Sequence, residues 1–565
     1  MLTIFATAVY LLTMDRSVSW WDCGEFIATG WTLGVGHPSG APTYQLIQHV
    51  VMLLSFGNVM LVAPLSNALS ALCGGVTVGV LYSTILEFVG RAKESKGVRV
   101  GAAVGALCYL FCDTVWFSAV ESEVYSMAML FCAVDLWIVL RWRRKGDARR
   151  IVLVGLLLGL GVGVHLMTLL VLPAIALIII GNLKAHKTSV SHLLKVILIA
   201  FLFFLTGLTT YAIIPIRAAA NPPINEMSGS FGEYLRREQY EKAPLYPRMW
   251  RERDQEHWAE WTGGTTGVVG NTIYYVTYQL GYMYGRYIMN NFIARVNLKS
   301  HRTVLYILPI LLALWGLWRH RRQNRRDYWV VMLVFLFGGV LLNIYLNHPC
   351  YEPRSRDYAY VLSFYAIAIW IGIGADELSR QWGKDPQRAG SLNAKHLILN
   401  TLLLLAPLTL AIGNWSDHDR SRCHSVHDIA VNHLESCDER AVLITLGDND
   451  TFPLWYLQQV EGRRTDVSVY NVGLTGWHEV FRIINEEFAK QDDELRRPVY
   501  VTQYFYDRYA YLWPGRFRCE GFCWQLLPEV SGELTPCIHD GIEWHIEEDE
   551  YVDPVSRKFL DIWER

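Results

Sequence analysis

Charge is scarce in this sequence: only 18% of its 565 residues are Asp, Glu, Lys or Arg, whereas 52% are hydrophobic. A soluble protein carries about 25% charged residues, so the composition excludes an ordinary soluble domain. The positive mean hydropathy agrees and indicates a chain that crosses a membrane several times. The formal net charge of −2 identifies no partner by itself, and no nucleic-acid partner is expected.

Metal-ligand spacing is also missing, because the 11 cysteines are spread along the chain without a metal-binding pattern. Those within apolar runs are most simply small buried hydrophobes, namely Cys73, Cys108, Cys112 and Cys132. Those towards the C-terminus could form disulfides in an oxidising compartment, although the sequence does not pair them: Cys423, Cys437, Cys519, Cys523 and Cys537.

The first apolar stretch lacks the features of a secretory signal. Met1–Met14 has no basic region before it and no small-residue cleavage motif. It is also shorter than the roughly 20 residues that a membrane span needs. We therefore expect either that a helix continues towards Trp20 or that the chain begins partway into one.

Apolar runs of a length suited to membrane helices recur up to residue 413. Besides Met1–Met14, the candidate spans are Leu65–Val89, Val100–Phe117, Met127–Leu140, Ile151–Val164, Thr168–Ile180, Val196–Ile216, Val304–Trp318, Tyr328–Leu346, Tyr360–Gly374 and His396–Ile412. Basic clusters follow alternate spans, as is typical of cytoplasmic loops. They lie at 91–99, 141–150, 184–195, 319–326 and 380–395.

Whether the stretch Gln45–Ala63 crosses the membrane decides on which side every later loop lies. If it does not cross, every basic cluster lies on the cytoplasmic side; if it crosses, every one lies outside. We therefore predict about eleven spans, an N-terminus inside and an outer loop over residues 15–64. In that loop the stretch would form a surface helix, with Gln45, Gln48 and His49 towards water.

The same topology brings many ionisable side chains to the outer ends of spans. We expect these side chains to converge at the outer face. The set comprises Asp22, Glu25, His37, Glu121, Glu123, His165, Arg217, His348, Arg354, Arg356 and Asp357. Charges that gather at one face of a membrane protein favour a site on that face.

The segment WWDCGEFIATGWTLGVGHPSGAPTY, residues 20–44, places two acids and a histidine between strongly apolar flanks. A carboxylate at the membrane–water boundary beside tryptophans is partly desolvated and is a good proton acceptor. Asp22 is therefore a candidate general base, with Glu25 close by. The alternative is that Asp22 only caps a helix beginning near Gly24.

A second outer segment, residues 217–302, is rich in Trp, Tyr, Arg and Glu. A loop of this length is usually functional or partly disordered. Its Tyr274–Phe292 part has the aromatic spacing of a helix lying along the membrane surface.

From residue 414 onwards the apolar runs stop, and residues 414–565 are predicted to form a soluble α/β domain. Ala441–Asp450 is predicted as a strand, Thr451–Gly462 as a helix and Asp466–Gly473 as a second strand. Asp448 and Asp450 follow the first strand, where such units bind ligands. A capped helix after a tight turn is the simpler interpretation of both.

Arginines and acids at the outer ends of spans suit chemistry on a phosphate ester anchored in the membrane. Guanidinium groups bind phosphate bidentately, which makes Arg217, Arg354 and Arg356 candidate phosphate ligands. Contacts with lipid headgroups would be their ordinary role. Four more residues could orient a sugar or stack on it, although purely structural roles are equally open for them: Glu121, Glu123, Tyr125 and His165.

Several motifs together resemble a multi-pass membrane family found in Bacteroidota, and the resemblance covers essentially the whole chain. The motifs are the segment at 20–44, VESEVY, GVHL, PIRAAANPPINE, EPRSRDYAYVLSFYAIAIWIGIG and LGDNDTFPLWYLQQVEGRRTDVSVYN. A vertebrate relative of that family is an endoplasmic-reticulum O-mannosyltransferase that acts on plexin-type receptor domains.

The first loop is also similar, more loosely, to protein O-mannosyltransferases of the C-type glycosyltransferase fold. In both, an acidic motif precedes a histidine-proline pair and a short outer helix. Those enzymes carry adjacent Asp and Glu, whereas Cys23 and Gly24 separate Asp22 from Glu25 here. The likeness therefore leaves open which of the two acids is the base.

These resemblances imply a polytopic α-helical membrane protein of the C-type glycosyltransferase fold, with a periplasmic α/β domain. They imply transfer of a sugar, mannose, from a polyprenyl-phosphate donor to Ser or Thr of secreted proteins, by inverting displacement at the periplasmic side of the inner membrane. No metal or cofactor beyond the lipid-linked donor is implied. The expected site comprises Asp22 and Glu25 for catalysis, Arg217, Arg354 and Arg356 for phosphate, and His37, Glu121, Glu123, Tyr125 and His165 for sugar or acceptor.

Two alternatives remain open from the sequence. The acceptor could be a lipid or a glycan, although a soluble outer domain better suits a protein acceptor. A transporter would carry ionisable groups near the membrane midplane, often within inverted repeats. Here Asp113 and Asp135 are among the few acids near span interiors, no internal repeat is visible, and the charges lie at span ends.

Overall fold

The computed structural model describes residues 1–90, 100–183, 189–238, 240–296, 302–351, 354–383, 394–492 and 495–529. Helices form most of the described chain up to His418, and a mixed α/β domain follows. The helices of the first part are α1 (Leu2–Thr13), α2 (Cys23–Thr32), α3 (Pro42–Met52), α4 (Val62–Val89), α5 (Val100–Leu110), α6 (Asp113–Ala119), α7 (Val124–Lys145), α8 (Ala148–Val162), α9 (Leu172–Asn182), α10 (Val190–Leu208), α11 (Ile213–Ala219), α12 (Phe231–Leu235), α13 (Gln255–Thr262), α14 (Gly267–Tyr274), α15 (Gly285–Phe292), α16 (Leu308–Gln323), α17 (Arg325–Gly338), α18 (Val340–Leu346), α19 (Val361–Gly383), α20 (Ala394–Leu403) and α21 (Leu405–His418).

Every predicted span contains helix, but the helices differ in length. Six described helical segments are long and apolar enough to cross a membrane, or seven if α5 and α6, bent by 66°, form one span. The run predicted over Val304–Trp318 begins as a strand, β2 (Thr303–Leu305), paired with β1 (Ala294–Val296), and its helix starts only at Leu308. The chain thus contains several helices that are long and apolar enough to cross a membrane, and the total of about eleven spans stays a prediction.

The helix α19 lies at the centre of the helical part. Phe364 and Tyr365 on this helix are fully buried, and so is Tyr360 in the turn before it. Gly374 on this helix faces the backbone of α16, and Gly105 of α5 faces the backbone of this helix, so a Cβ atom at either position would clash. Small residues at such crossings let membrane helices approach closely. By contrast α10 is mostly exposed, which suits contact with lipid.

The helix α3 corrects one expectation about the first loop. With 11 residues it rises only about 16 Å, which supports the prediction that Gln45–Ala63 does not span. The prediction that its polar side chains face water is wrong. Gln48 is fully buried and donates to Ser66 and Ser122, at 2.6 and 2.9 Å.

The other two polar side chains of α3 bind the main chain of the preceding helix. The Gln45 amide donates to the Thr29 and Gly34 carbonyl oxygens, at 2.9 and 2.6 Å, and the His49 ring lies 2.8 Å from the Gly30 carbonyl oxygen. The exposed side of the segment is apolar instead, with Val50, Leu53, Leu54 and Phe56. The carbonyl groups at the end of α2 therefore decide which way α3 turns.

The outer segment is helical where an aromatic surface helix was predicted. A π-helical stretch, Tyr275–Tyr284, joins α14 to α15. The three elements together cover the predicted Tyr274–Phe292. Its rings pack on one another and on Trp258 and Trp261. The helix is confirmed, and its position along a membrane surface stays a prediction.

The C-terminal domain holds a five-stranded sheet. Its strands are β3 (Val442–Thr445), β4 (Ser468–Asn471), β5 (Val499–Thr502), β6 (Phe517–Glu520) and β7 (Cys523–Leu526), in the order β4-β3-β5-β7-β6. Its helices are α22 (Ser425–Glu435), α23 (Asp448–Tyr456), α24 (Val472–Thr475), α25 (Trp477–Ala489) and α26 (Gln503–Tyr509). The predicted β-α-β unit is confirmed, because β3 and β4 are parallel and α23 connects them.

Two of the C-terminal cysteines lie buried as thiols. The Sγ atoms of Cys437 and Cys523 each lie 3.4 Å from the His433 carbonyl oxygen. Cys537, with the rest of residues 530–565, lies outside the described residues.

The C-terminal domain packs directly on the first loop through α2 and α23. Gly24 faces the backbone of Phe452, whose carbonyl oxygen lies 2.5 Å from where a Cβ atom would be. The Trp21 amide donates to the Asn449 side chain at 2.6 Å. Val18, Trp20 and other first-loop side chains share one hydrophobic cluster with α22 and α23. The first loop is therefore enclosed between the helices and the C-terminal α/β domain.

Gly24→Ala should weaken this packing, because the added methyl group meets main chain that cannot rotate away. We expect a loss of about 1–3 kcal/mol in the free energy of unfolding, measured by denaturant unfolding in detergent. Proteolysis between the helical part and the C-terminal domain should also be faster. Gly285→Ala is the matched control, since its Cβ would lie 3.6 Å from its nearest neighbour, the Leu280 carbonyl oxygen. Equal stability of the two variants would contradict the packing argument.

Candidate active site

A cavity of about 800 Å³ opens where the first loop meets the ends of several helices. Its lining combines charged and polar groups with apolar side chains. The first set comprises Asp22, His37, His165, Arg237, His348 and Arg356, and the second includes Leu166, Leu169, Leu170, Phe337, Leu341 and Leu346. The volume suits a small-molecule site. The mixed lining suits a ligand with both a charged and an apolar part.

The buried pair of Glu25 and His37 holds the loop that forms one wall. Glu25 is fully buried in the first turn of α2. One of its oxygens accepts the His37 backbone N–H at 2.6 Å, and the other lies 2.5 Å from the His37 Nδ1 atom. The absence of a side chain at Gly36 leaves room for this carboxylate, because a Cβ there would lie 3.0 Å from the Glu25 Oε1 atom.

Charge explains the state of His37. Burial alone would lower its pKa, but the charge and hydrogen bond of Glu25, with the charge of Asp22, raise the pKa to about 10. His37 is therefore a cation at neutral pH. Glu25 is engaged by this cation, whereas Asp22 lines the cavity.

Asp22 stands directly before α2, at the position of a helix cap. Its side chain makes no capping hydrogen bond. The alternative in which it only caps the helix is therefore not what the structure shows. The carboxylate belongs to the cavity wall instead.

The other predicted acids stand beside the cavity rather than in its lining. Glu121 pairs with Arg420 at 2.6 Å, and Glu123 pairs with Arg354 at 3.5 Å. Burial first, and then the charge of Asp22, raise the pKa of Glu123, and Arg354 opposes both effects.

The Arg354 guanidinium is held between two rings. It stacks between Trp21 and Tyr358, 4.9 and 4.3 Å from their centroids. Its aromatic and acidic neighbours come from the first loop (Trp21), from the residue before α7 (Glu123) and from the turn before α19 (Tyr358), so this arginine joins three segments of the chain.

The three arginines predicted to bind phosphate separate in the structure. Arg356 lines the cavity. Arg354 belongs to the pair just described. Arg217 is not in the lining, and its guanidinium donates to the Leu33 and Thr32 carbonyl oxygens, at 2.7 and 3.1 Å, at the end of α2.

Tyr125 and His165 form an aromatic wall with Tyr358. The Tyr125 ring lies 4.5 Å from the Tyr358 ring and 5.5 Å from the His165 ring, centroid to centroid. Burial, with the charges of Arg237 and His37, lowers the pKa of His165 to about 4, so this histidine is neutral. Neutral rings of this kind suit the face of a sugar.

Tyr234, Arg237 and Tyr358 are among the lining residues that sequence reasoning missed. The Tyr234 hydroxyl donates to the Gly36 carbonyl oxygen at 2.7 Å and so ties the outer segment to the first loop. Arg237 follows in a left-handed turn, at a φ of 54°. The only sequence signal for it was a charge-rich outer segment. His348 was placed at the outer face without a role, and it also lines the cavity.

Asp450 has a structural environment in the C-terminal domain. It is buried, accepts the Leu446 amide at 3.0 Å and accepts the Thr502 hydroxyl. Among the described residues no group of three or more His, Cys, Asp or Glu side chains is arranged to hold a metal ion.

Glu25→Gln should destabilise the protein by about 3–5 kcal/mol, because it leaves the buried His37 without its charged partner. The folded pKa of His37, about 10, lies above its ordinary value of 6.5. The pair therefore stabilises fully below about pH 6.5 and loses its effect as the pH rises through about 10. Thermal unfolding from pH 7 to about pH 10.5 should show a steeper decline for the wild type than for Glu25→Gln. Parallel curves would contradict this assignment, and the exposed Glu479→Gln is the control.

Two family models match this chain. Residues 22–189 match the protein O-mannosyl-transferase TMEM260 N-terminal domain, and residues 426–478 match TMEM260-associated domain 2. The first covers the loop of Asp22, Glu25 and His37 together with Tyr125 and His165. The second covers the β3–α23–β4 unit.

Two curated relatives are similar over most of the chain. The mouse protein O-mannosyl-transferase TMEM260 is 23% identical over 486 residues, which is 82% of this chain and 61% of the relative. The tmem260 protein of Dictyostelium discoideum is 22% identical over 521 residues, which is 86% of this chain and 58% of the relative. The chain thus spans about three fifths of the length of these relatives.

Among solved structures, ArnT from Cupriavidus metallidurans is similar in fold. The form bound to undecaprenyl phosphate gives a TM-score of 0.54 at 13% identity and covers 94% of this chain and 98% of ArnT. The apo form gives 0.55 at 11% identity and covers 94% and 97%. The C-type glycosyltransferase-like fold is thereby confirmed. The resemblance to protein O-mannosyl-transferases predicted from the sequence is confirmed as well, because residues 22–189 and 426–478 match domain models of TMEM260 and both curated relatives are TMEM260 proteins.

Proposed function

We propose that this protein transfers mannose from a polyprenyl-phosphate donor to Ser or Thr of secreted proteins, by inverting displacement. One observation carries the proposal: Asp22, Arg356 and Arg237 line the same cavity, whose remaining wall is largely apolar. Homology to protein O-mannosyl-transferases supports a glycosyltransferase. The choice of mannose rests on that homology.

The donor is proposed to enter with its phosphate at the arginines and its prenyl chain along the apolar wall. Leu341, Leu346 and Phe337 belong to α17 and α18, which together are long and apolar enough to cross a membrane. A chain that leaves the cavity between such helices stays in a hydrocarbon environment. The similar fold of ArnT was solved with undecaprenyl phosphate, which is a lipid of this class.

The chemical step follows from the placement of charge. The Asp22 carboxylate takes the proton of the acceptor hydroxyl while that oxygen attacks the anomeric carbon. The bond between this carbon and the phosphate oxygen breaks, and the phosphate leaves with the electron pair. Arg356 and Arg237 stabilise the charge that develops on it. One displacement inverts the configuration of the sugar.

The remaining candidates support these groups. Glu25 and His37 fix the loop on which Asp22 stands, and the His37 cation adds positive charge to the wall. Tyr125, Tyr358 and His165 would hold the sugar. Glu121, Glu123 and Arg354 form a charged network behind Asp22. The role predicted for Arg217 and Arg354 in phosphate binding stays a prediction.

We further propose that the site and the C-terminal domain lie on the periplasmic side of the inner membrane. The basic clusters at 141–150 and 319–326 support this orientation, because such clusters mark cytoplasmic loops. The clusters at 91–99 and parts of those at 184–195 and 380–395 lie outside the described residues. The number of spans in this topology remains about eleven.

Asp22→Asn should lower transfer by about 100- to 10,000-fold, because the amide cannot accept the hydroxyl proton. The assay incubates purified protein with labelled polyprenyl-phosphate-mannose and a Ser/Thr peptide, and follows label into the peptide. Asp507→Asn, an exposed acid of the C-terminal domain, is the control with the same charge change. Full activity of Asp22→Asn with an unchanged melting temperature would remove the base assignment.

Arg356→Gln and Arg217→Gln form a matched pair for the donor site. We expect Arg356→Gln to lower kcat/KM for the donor by about 100-fold, because the charge on the leaving phosphate loses a ligand. Arg217→Gln should change it by less than about threefold, since its guanidinium binds the end of α2 and its loss acts on stability. Equal effects of the two variants on the donor kcat/KM would contradict the separation seen in the structure.

A further inference from the structure

The first turn of α23, with Gly447 directly before it, lies against the first loop beside Asp22. The Asn449 side chain accepts the Trp21 amide at 2.6 Å, one residue before the proposed base. Phe452, one turn further along the same helix, packs with its carbonyl group on Gly24, two residues after Asp22. Contacts on both sides of Asp22 therefore place this turn next to it.

The turn is held rigidly by its own domain. Asp450 accepts the Leu446 amide at 3.0 Å, and the Thr451 hydroxyl donates to the Gly447 carbonyl oxygen at 2.7 Å. The Asn471 amide donates to the same carbonyl oxygen at 3.2 Å. Asp450 thus builds the turn and Asn449 docks it, while the side chain of Asp448 is exposed.

Asp448 is exposed to solvent, but two other carboxylates, Asp22 and Glu25, act on its charge. Desolvation by the surrounding protein, and then the carboxylates of Asp22 and Glu25, raise its pKa to about 6, and His37 and Arg354 act in the opposite sense. Asp448 is therefore negatively charged at pH 7. Its electrostatic partners are the groups of the proposed active site.

We propose that Asp448 is a specificity-determining residue for the acceptor, which selects peptide segments with neutral or basic residues next to the modified Ser or Thr. This inference rests on the proposed function. An acceptor hydroxyl that reaches Asp22 brings its flanking residues close to Asp448. An acidic neighbour then meets like charge, and a basic one meets opposite charge.

The test uses three Ser/Thr peptides that differ only in the residue after the acceptor: Lys, Gln or Glu. For the wild type we expect kcat/KM to be about tenfold higher for the Lys peptide than for the Glu peptide. Asp448→Asn should reduce this ratio to about twofold, Asp448→Glu should retain it, and Asp448→Lys should reverse it. Asp507→Asn, which removes an exposed carboxylate elsewhere on the domain, should leave the ratio unchanged.

Salt provides a measurement that needs no variant. Because the discrimination acts between partly exposed charges, raising the ionic strength should compress the wild-type ratio. An active Asp448→Asn with the wild-type ratio, or a wild-type ratio near one, would overturn the inference while leaving the proposed function intact. A wild type that transfers no label to any of the three peptides would instead refute the proposed function.

Discussion

The buried contact between Glu25 and His37 determines where the first loop can lie. A fully buried carboxylate is unfavourable unless hydrogen bonds and an opposite charge compensate for lost water, and His37 supplies both through its ring and its backbone N–H. The loop after α2 must therefore fold back over that helix. Asp22, at the start of the same helix, is thereby held in the cavity wall.

The C-terminal domain completes this arrangement. It covers the outer side of α2 through α23, so that the first loop has helices on one side and a folded domain on the other. Such enclosure keeps water away from charged groups and strengthens their interactions. The aromatic clamp of Trp21 and Tyr358 on Arg354 adds a further link between the two ends of the helical part. The proposed site is therefore a product of the whole chain.

The pattern of hydrophobicity was sufficient to locate the long apolar helices and the β-α-β unit, because both depend on local periodicity. Together with the basic clusters it predicted that Asp22 and Arg356 lie at the same end of the helices, and both line the cavity. It failed for Gln45, Gln48 and His49, which were expected to face water. Polar side chains on a helix also satisfy neighbouring main chain, and sequence periodicity does not distinguish that partner from solvent.

Arg354 and Arg356 show the same limit, since they are two residues apart and look equivalent in sequence. Only the packing of Trp21, Tyr358 and Glu123 around the first commits it to a buried network. The sequence by itself determined the membrane class, the succession of helices and the residue types available for chemistry, because these follow from composition and periodicity. Tertiary structure alone decided which charges pair and which line the cavity, because that depends on contacts between segments remote along the chain.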